Sequence, residues 1–139
     1  MLARARKRVE RLDGINFICA DALAWTAPEG AFDLIVTHFF LDCFRAEQLE
    51  LLIAGLARAA GPRANWLLAD FRTAPAGMAR FRSRVILWLM YRFFCAATQM
   101  PATTLTPPDA FLERHGFRLR ERVVYDWGLL HSDRWQKPE

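Results

Sequence analysis

Apolar positions along this chain of 139 residues alternate between a helical and a strand-like spacing, and the order in which the two follow each other predicts an α/β fold. Leu2, Ala5, Val9 and Leu12 recur at helical spacing with arginines between them, which predicts an amphipathic helix over 1–12 that stops at Asp13-Gly14. Residues 15–19 (INFIC) are a short apolar run read as a strand, and residues 25–30 (WTAPEG) form a polar, Pro-containing loop. Residues 32–37 (FDLIVT) are the clearest buried strand, because Leu34, Ile35 and Val36 are consecutive apolar residues, as expected where helices cover both faces. Leu49, Leu52, Ile53, Leu56 and Ala60 make an apolar stripe on a helix over 46–60, ended by Gly61-Pro62, and 65–71 (NWLLADF) are a second buried strand. Strand, helix and strand of these lengths predict a right-handed βαβ crossover that brings both strand ends to one edge of the sheet.

Further along, 77–100 read as a helical insert with a dense apolar run over 85–91, then Phe93 and Phe94, among Arg80, Arg82, Arg84 and Arg92. About twenty consecutive apolar residues are needed to span a bilayer, and Arg92 interrupts this run well before that. Three readings of the insert remain: a lid over a site, a core helix, or a membrane-surface helix with snorkelling arginines. The lid or core is favoured, with Trp88, Tyr91 and Phe94 as one buried stripe able to floor an apolar pocket. Thr106-Pro107-Pro108-Asp109 predicts a helix start with Thr106 as N-cap, and Gly116 a helix stop. Phe117, Leu119, Val123 and Val124, a turn at 126–128 and a return over 129–135 predict a terminal antiparallel hairpin.

Composition changes this picture little. A chain 53% hydrophobic and 24% charged is neither a disordered tail nor a fibre, and one domain over 1–139 is expected. Residues 1–12 hold five basic side chains and one acid, which is the whole of the net excess of +4. No protein-wide basic field is left for a nucleic acid, and none is expected as a partner. That first segment reads as a basic helix in preference to an Arg-rich transit peptide, because Glu10 and Asp13 interrupt it and Ser is not enriched. Cys19, Cys43 and Cys95 lack CxxC spacing and read as reduced, buried thiols of a cytoplasmic protein. No His, Cys, Asp or Glu cluster has metal-ligand spacing, so no metal is expected.

In an open α/β sheet ligands bind beyond the carboxyl ends of the strands, which singles out Asp21, the segment 37–42 and the segment 70–73. Asp21 can accept hydrogen bonds from an amino group or a ribose, or it can be a turn acid. Phe39 and Phe40 can wall a flat heterocycle. His38 is the one candidate base, its alternative being a histidine hydrogen-bonded within the loop. Asp42 either orients a substrate amine or caps the following helix, and the cap is favoured. Asp70 and Arg72 either contact a substrate or form a local ion pair. His131, Ser132 and Asp133 are adjacent, yet alternate strand residues point to opposite faces, so no hydrolytic triad is expected from them.

The order FICADALAW, FDLIVTHFFLDCF, helix, ANWLLADFR, helical insert over about 76–100, helix, FRLRERVVYDWGLLHSDRW resembles the C-terminal two-thirds of a class I S-adenosylmethionine-dependent methyltransferase, and MLARAR resembles that family's helix after its second strand. The resemblance implies a Rossmann-like sheet, mostly parallel, with strand order 3-2-1-4-5-7-6 and a C-terminal antiparallel hairpin. It implies S-adenosylmethionine as cofactor, with Asp21 and Ala22 at the adenine and Thr37, His38 and Phe39 lining the cofactor. It also implies a small acceptor among Phe40, Asp42, Arg72, Trp88 and Tyr91. The family's Gly-rich turn after the first strand has no counterpart, since the seven glycines form no GxG. The expectation is therefore a chain that lacks the first two strands, whether as a fragment or through a late start, with impaired cofactor binding and 32–37 left as a sheet edge. Two other functions stay open: a non-catalytic interaction domain that pairs or self-associates through that edge, and a peripheral membrane-surface protein.

Overall fold

The computed structural model of the chain describes residues 2–9, 12–98 and 105–139. Expectations placed on Met1, Glu10 and Met100, and on the side chains of Leu2, Phe94 and Cys95, lie outside what is described. Helix α1 (Leu2–Arg8) is followed, after a long irregular stretch, by strand β1 (Phe32–His38), a 3-10 turn (Leu41–Cys43), helix α2 (Ala46–Ala59) and strand β2 (Ala60–Phe71). Then come helix α3 (Gly77–Thr98), helix α4 (Asp109–Arg114), strand β3 (Arg118–Tyr125), a second 3-10 turn (Asp126–Gly128) and strand β4 (Leu130–Gln136). Among the described residues no helix is long and apolar enough to cross a membrane.

The four strands form one mixed sheet in the order β1-β2-β4-β3, with β1 and β2 parallel and the other two pairs antiparallel. This matches the 4-5-7-6 half of the expected order, with β1 at the edge. The βαβ crossover and the terminal hairpin are as the sequence predicts. Residues 15–19 are not a strand: they are irregular, with Ile15 and Ile18 exposed, because no neighbouring strand takes up their backbone groups.

Alternation along the strands sends Ile35, Trp66, Leu68 and Trp135 to one face, where they pack with Leu49, Leu52 and Ile53 of α2 and Leu112 of α4. Trp66 and Trp135 are completely buried there, and Phe117 meets Trp66 edge-on with ring centroids 5.4 Å apart. The opposite face is bare along β1: Leu34 and Val36 are 52% and 50% exposed. The expectation that helices cover both faces of 32–37 is therefore corrected, since α2 and α4 share one side and α3 reaches the other only near Phe71 and Leu129.

Helix α2 opens at Arg45, whose amide donates to Gln48 Oε1 at 3.2 Å, and closes directly into β2. Gly61-Pro62 lies inside the strand as a register shift against β1, and does not form a loop. Lys137 closes the helix end, its Nζ donating at 2.9 Å to the carbonyls of both Ala57 and Ala60. Thr106 does not cap α4, which begins at Asp109 after Pro108. Gly116 ends it in the left-handed region at φ 86°, which a β-carbon would resist.

Candidate functional site

The parallel pair fixes where a site can form. Strands β1 and β2 run side by side, pairing His38 with Ala69, so the segments that follow them emerge together at the carboxyl end of the sheet. Phe39 turns the chain sharply. It sits in the left-handed region at φ 50°, a conformation costly for an aromatic residue, while its amide donates to the Ala69 carbonyl at 2.8 Å. That turn leaves Phe39 half-exposed with its ring 5.2 Å from Phe71, and drops the 3-10 turn with Asp42 onto the end of β2.

Asp42 and Asp70 are consequently buried side by side and share a side-chain hydrogen bond. Burial is the main influence on both. It raises the Asp42 pKa, opposed by hydrogen bonds from Cys43 and Asp70. Burial and then the charge of Asp42 push Asp70 up to about 8, against a hydrogen bond from the Phe71 amide at 3.1 Å. Burial and the neighbouring Asp42 likewise push the Cys43 thiol up to about 11. Near neutral pH the pair holds a proton between two carboxyls. The Tyr91 hydroxyl, from α3, donates to the Asp42 carbonyl at 3.3 Å and ties the insert to this turn.

From Tyr91 a groove of about 780 Å³ runs along α3 toward Thr73, walled by Phe81, Val85, Leu87, Trp88 and Leu105. Such a volume suits a small organic ligand. Of the expected stripe, Tyr91 is buried, but Trp88 is 61% exposed along this groove, so α3 is only partly a core helix.

The expected site residues divide accordingly. Phe39, Phe40, Asp42, Arg72, Trp88 and Tyr91 lie in or beside the carboxyl-end loops and α3. Asp42 does not cap α2, because Arg45 holds that position and Asp42 is committed to Asp70. Asp70 is in turn not ion-paired with Arg72 among the described contacts. Thr37 points into the covered face, where its hydroxyl accepts the Trp66 indole N–H at 2.8 Å. His38 points to the bare face and is exposed. Asp21 is an exposed turn acid accepting the Leu23 amide at 3.0 Å, while Ala22 and Leu23 pack along α2. Cys19 is exposed and Cys43 half-buried, which corrects the expectation of buried thiols.

A second cluster of buried charge spans β3, β4 and α4. Arg122 bonds Asp133 and Asp109, and His131 Nδ1 lies 2.9 Å from Asp133 Oδ1 in a poorly directed contact. Ser132 falls on the opposite face from His131 and Asp133, which rules out a triad from the three. Neither the Asp42–Asp70 pair nor this cluster is legible from spacing, since their members are 28 and 11 to 13 residues apart and meet only through the sheet.

An S-adenosylmethionine-type group finds a partial fit. Asp21 offers an exposed carboxylate on the turn along α2 and Phe39 a flat ring beside Phe71, and no described contact joins the two. For the methionine end no glycine-rich turn exists among the described residues, and the edge of β1 is open.

Residues 1–63 match the family model described as a methyltransferase domain. The N-methyltransferase NodS from Bradyrhizobium japonicum WM9, solved with S-adenosyl-L-homocysteine, superposes with a TM-score of 0.70 at 18% identity. The match covers 99% of this chain and 62% of that one. An S-adenosylmethionine-dependent methyltransferase from Mesorhizobium loti gives 0.72 at 17% identity, covering 99% of this chain and 76% of the other. Residues 1–63 thus resemble a methyltransferase domain in sequence, and the chain shares the fold of these methyltransferases. The [4+2]-cyclase SpnF shares that fold as well, with a TM-score of 0.67 at 12% identity over 98% of this chain and 60% of its own. The shared fold thus leaves the chemistry of a site to its side chains. No curated protein matches the sequence.

Proposed function

We propose that this chain forms the acceptor side of an S-adenosylmethionine-dependent methyltransferase site acting on a small, apolar or aromatic acceptor. One observation carries the reading: in a methyltransferase fold, the strained Phe39 turn, the Asp42–Asp70 pair and the α3 groove meet at the carboxyl end of the parallel pair. When bound, the cofactor supplies an electrophilic methyl group. Asp21 accepts a hydrogen bond from its adenine amino group, with Ala22 beside it, and His38 and Phe39 line it, whereas Thr37 is turned away into the covered face against Trp66. Phe40, Asp42, Arg72, Trp88 and Tyr91 surround the acceptor. Alignment of donor and nucleophile supplies most of the rate enhancement, and His38 is the candidate base for a released proton. Because the β1 edge is open, the chain alone binds the donor weakly.

Isothermal titration of S-adenosylmethionine tests this. Weak, saturable heat that disappears in Asp21→Ala supports the reading. A second reading, an interaction module that pairs through 32–37, is favoured by the exposed Leu34 and Val36 on that edge strand. It predicts no donor heat at all and a dimer in light scattering that Val36→Lys dissociates.

A further inference from the structure

Arg80, Arg82, Arg84 and Arg92 decorate α3, and among the described residues two of them have side-chain partners. Arg82 is bonded to the Asp126 carboxylate and carbonyl, and Arg92 lies over the Trp88 ring at 5.7 Å. Arg80 and Arg84 line the groove. They stand one helical turn apart, on the same side of α3, and among the described residues no carboxylate pairs with either. None of the residues lining the groove is acidic. The aromatic and aliphatic surface beside them is bare: Phe81 is 71% and Trp88 61% exposed. Two cationic forks at the edge of an apolar trough are the complement of a molecule with a hydrophobic body and an anionic head.

We infer that the groove along α3 binds the acceptor as a small amphiphilic anion, its carboxylate or phosphate held by Arg80 and Arg84 and its apolar body lying on Phe81, Val85 and Trp88. This rests on the methyltransferase reading and adds the class of acceptor. The groove closes on Tyr91, whose hydroxyl is fastened to the Asp42 turn, so the end of the ligand remote from the arginines lies toward the carboxyl ends of β1 and β2. The anionic head is thus a handle, and the methylated atom belongs to the apolar end.

The test uses the whole chain and two fluorescent probes, dansyl-labelled undecanoic acid and its uncharged methyl ester. The acid binds about tenfold tighter than the ester, the value of one charge-assisted contact. In the Arg80→Gln/Arg84→Gln double variant the acid falls to the affinity of the ester, while the ester binds as before, which shows that the groove is still folded. Equal affinities in the unmodified chain overturn the inference, as does a preference that survives in the double variant. Co-sedimentation with phosphatidylcholine–phosphatidylglycerol vesicles separates the other source of anionic heads. Arginine-dependent vesicle binding without probe discrimination assigns the patch to a lipid surface and also overturns it. Probe binding requires no donor, so a preserved preference with no S-adenosylmethionine heat sinks the methyltransferase reading alone.

Discussion

Two clusters of buried acids lie on the same face of one sheet, and Asp70 of one is the cross-strand partner of His131 of the other. Their chemistry runs in opposite directions. Burial alone would raise the pKa of Asp133, but hydrogen bonds from Arg122 and then the adjacent His131 ring outweigh it and hold the group down at about 2, the His131 contact being short but poorly directed. Asp133 in turn raises Arg122, with Asp109 adding to the effect. At Asp70, where the nearest ionisable neighbour is another acid, the same burial lifts the group to about 8. A guanidinium turns a buried carboxylate into a fixed structural charge, whereas a second carboxyl makes it a group that holds a proton near neutrality. The first cluster joins β3, β4 and α4. The second sits where the parallel strands end.

The largest effect should come from removing the guanidinium. Arg122→Gln leaves Asp133 and Asp109 without their cation and should cost about 3–5 kcal/mol in urea denaturation at pH 7. Because the Asp133 pKa is depressed, its contribution is present above the unfolded value of about 4 and is lost as pH falls toward 2, so the acid limb of the stability profile should flatten in the variant. Asp70→Asn is the opposite experiment. The native acid keeps a proton that the unfolded chain releases above about 4, so stability falls as pH rises from about 4 to about 8 and levels off beyond. The variant should gain roughly 2 kcal/mol at pH 8 and nothing at pH 4. A loss of stability at both pH values would mean that Asp70 is ionised and paired. The smallest effect sharpens the comparison by separating pairing from burial. Arg114 meets Glu50 at 3.1 Å but its side chain is 61% exposed, and Arg114→Ala should change stability by less than about 0.5 kcal/mol.

Much of the scaffold is legible in the residues, because local periodicity and composition encode it. The FDLIVT strand, the Leu49–Leu52–Ile53 stripe, NWLLADF and the terminal hairpin each carry their own signal, and the crossover rule joins the first three. Residues 15–19 mislead for a tertiary reason: an apolar run becomes a strand only if another strand accepts its hydrogen bonds. Consecutive apolar residues in 32–37 imply cover on both faces, but what lies over a face is not a property of the strand itself. Asp42 has the spacing of a helix cap, and no local rule could announce that it folds instead against an acid 28 residues away. Trp88 belongs to a helical stripe with Tyr91, yet the stripe straddles a groove, so one ring is buried and the other bare. The arginines of α3 are visible in the sequence, but only the fold divides those engaged by Asp126 and Trp88 from those facing the groove.

Isothermal titration of S-adenosylmethionine into the folded chain addresses the methyl-transfer reading most directly. Weak but saturable uptake at one site per chain, abolished by Asp21→Ala and left intact by Arg114→Ala, is the outcome the account predicts. A chain that gives a cooperative denaturation curve and yet takes up no donor, or that takes it up equally well without the Asp21 carboxylate, contradicts it.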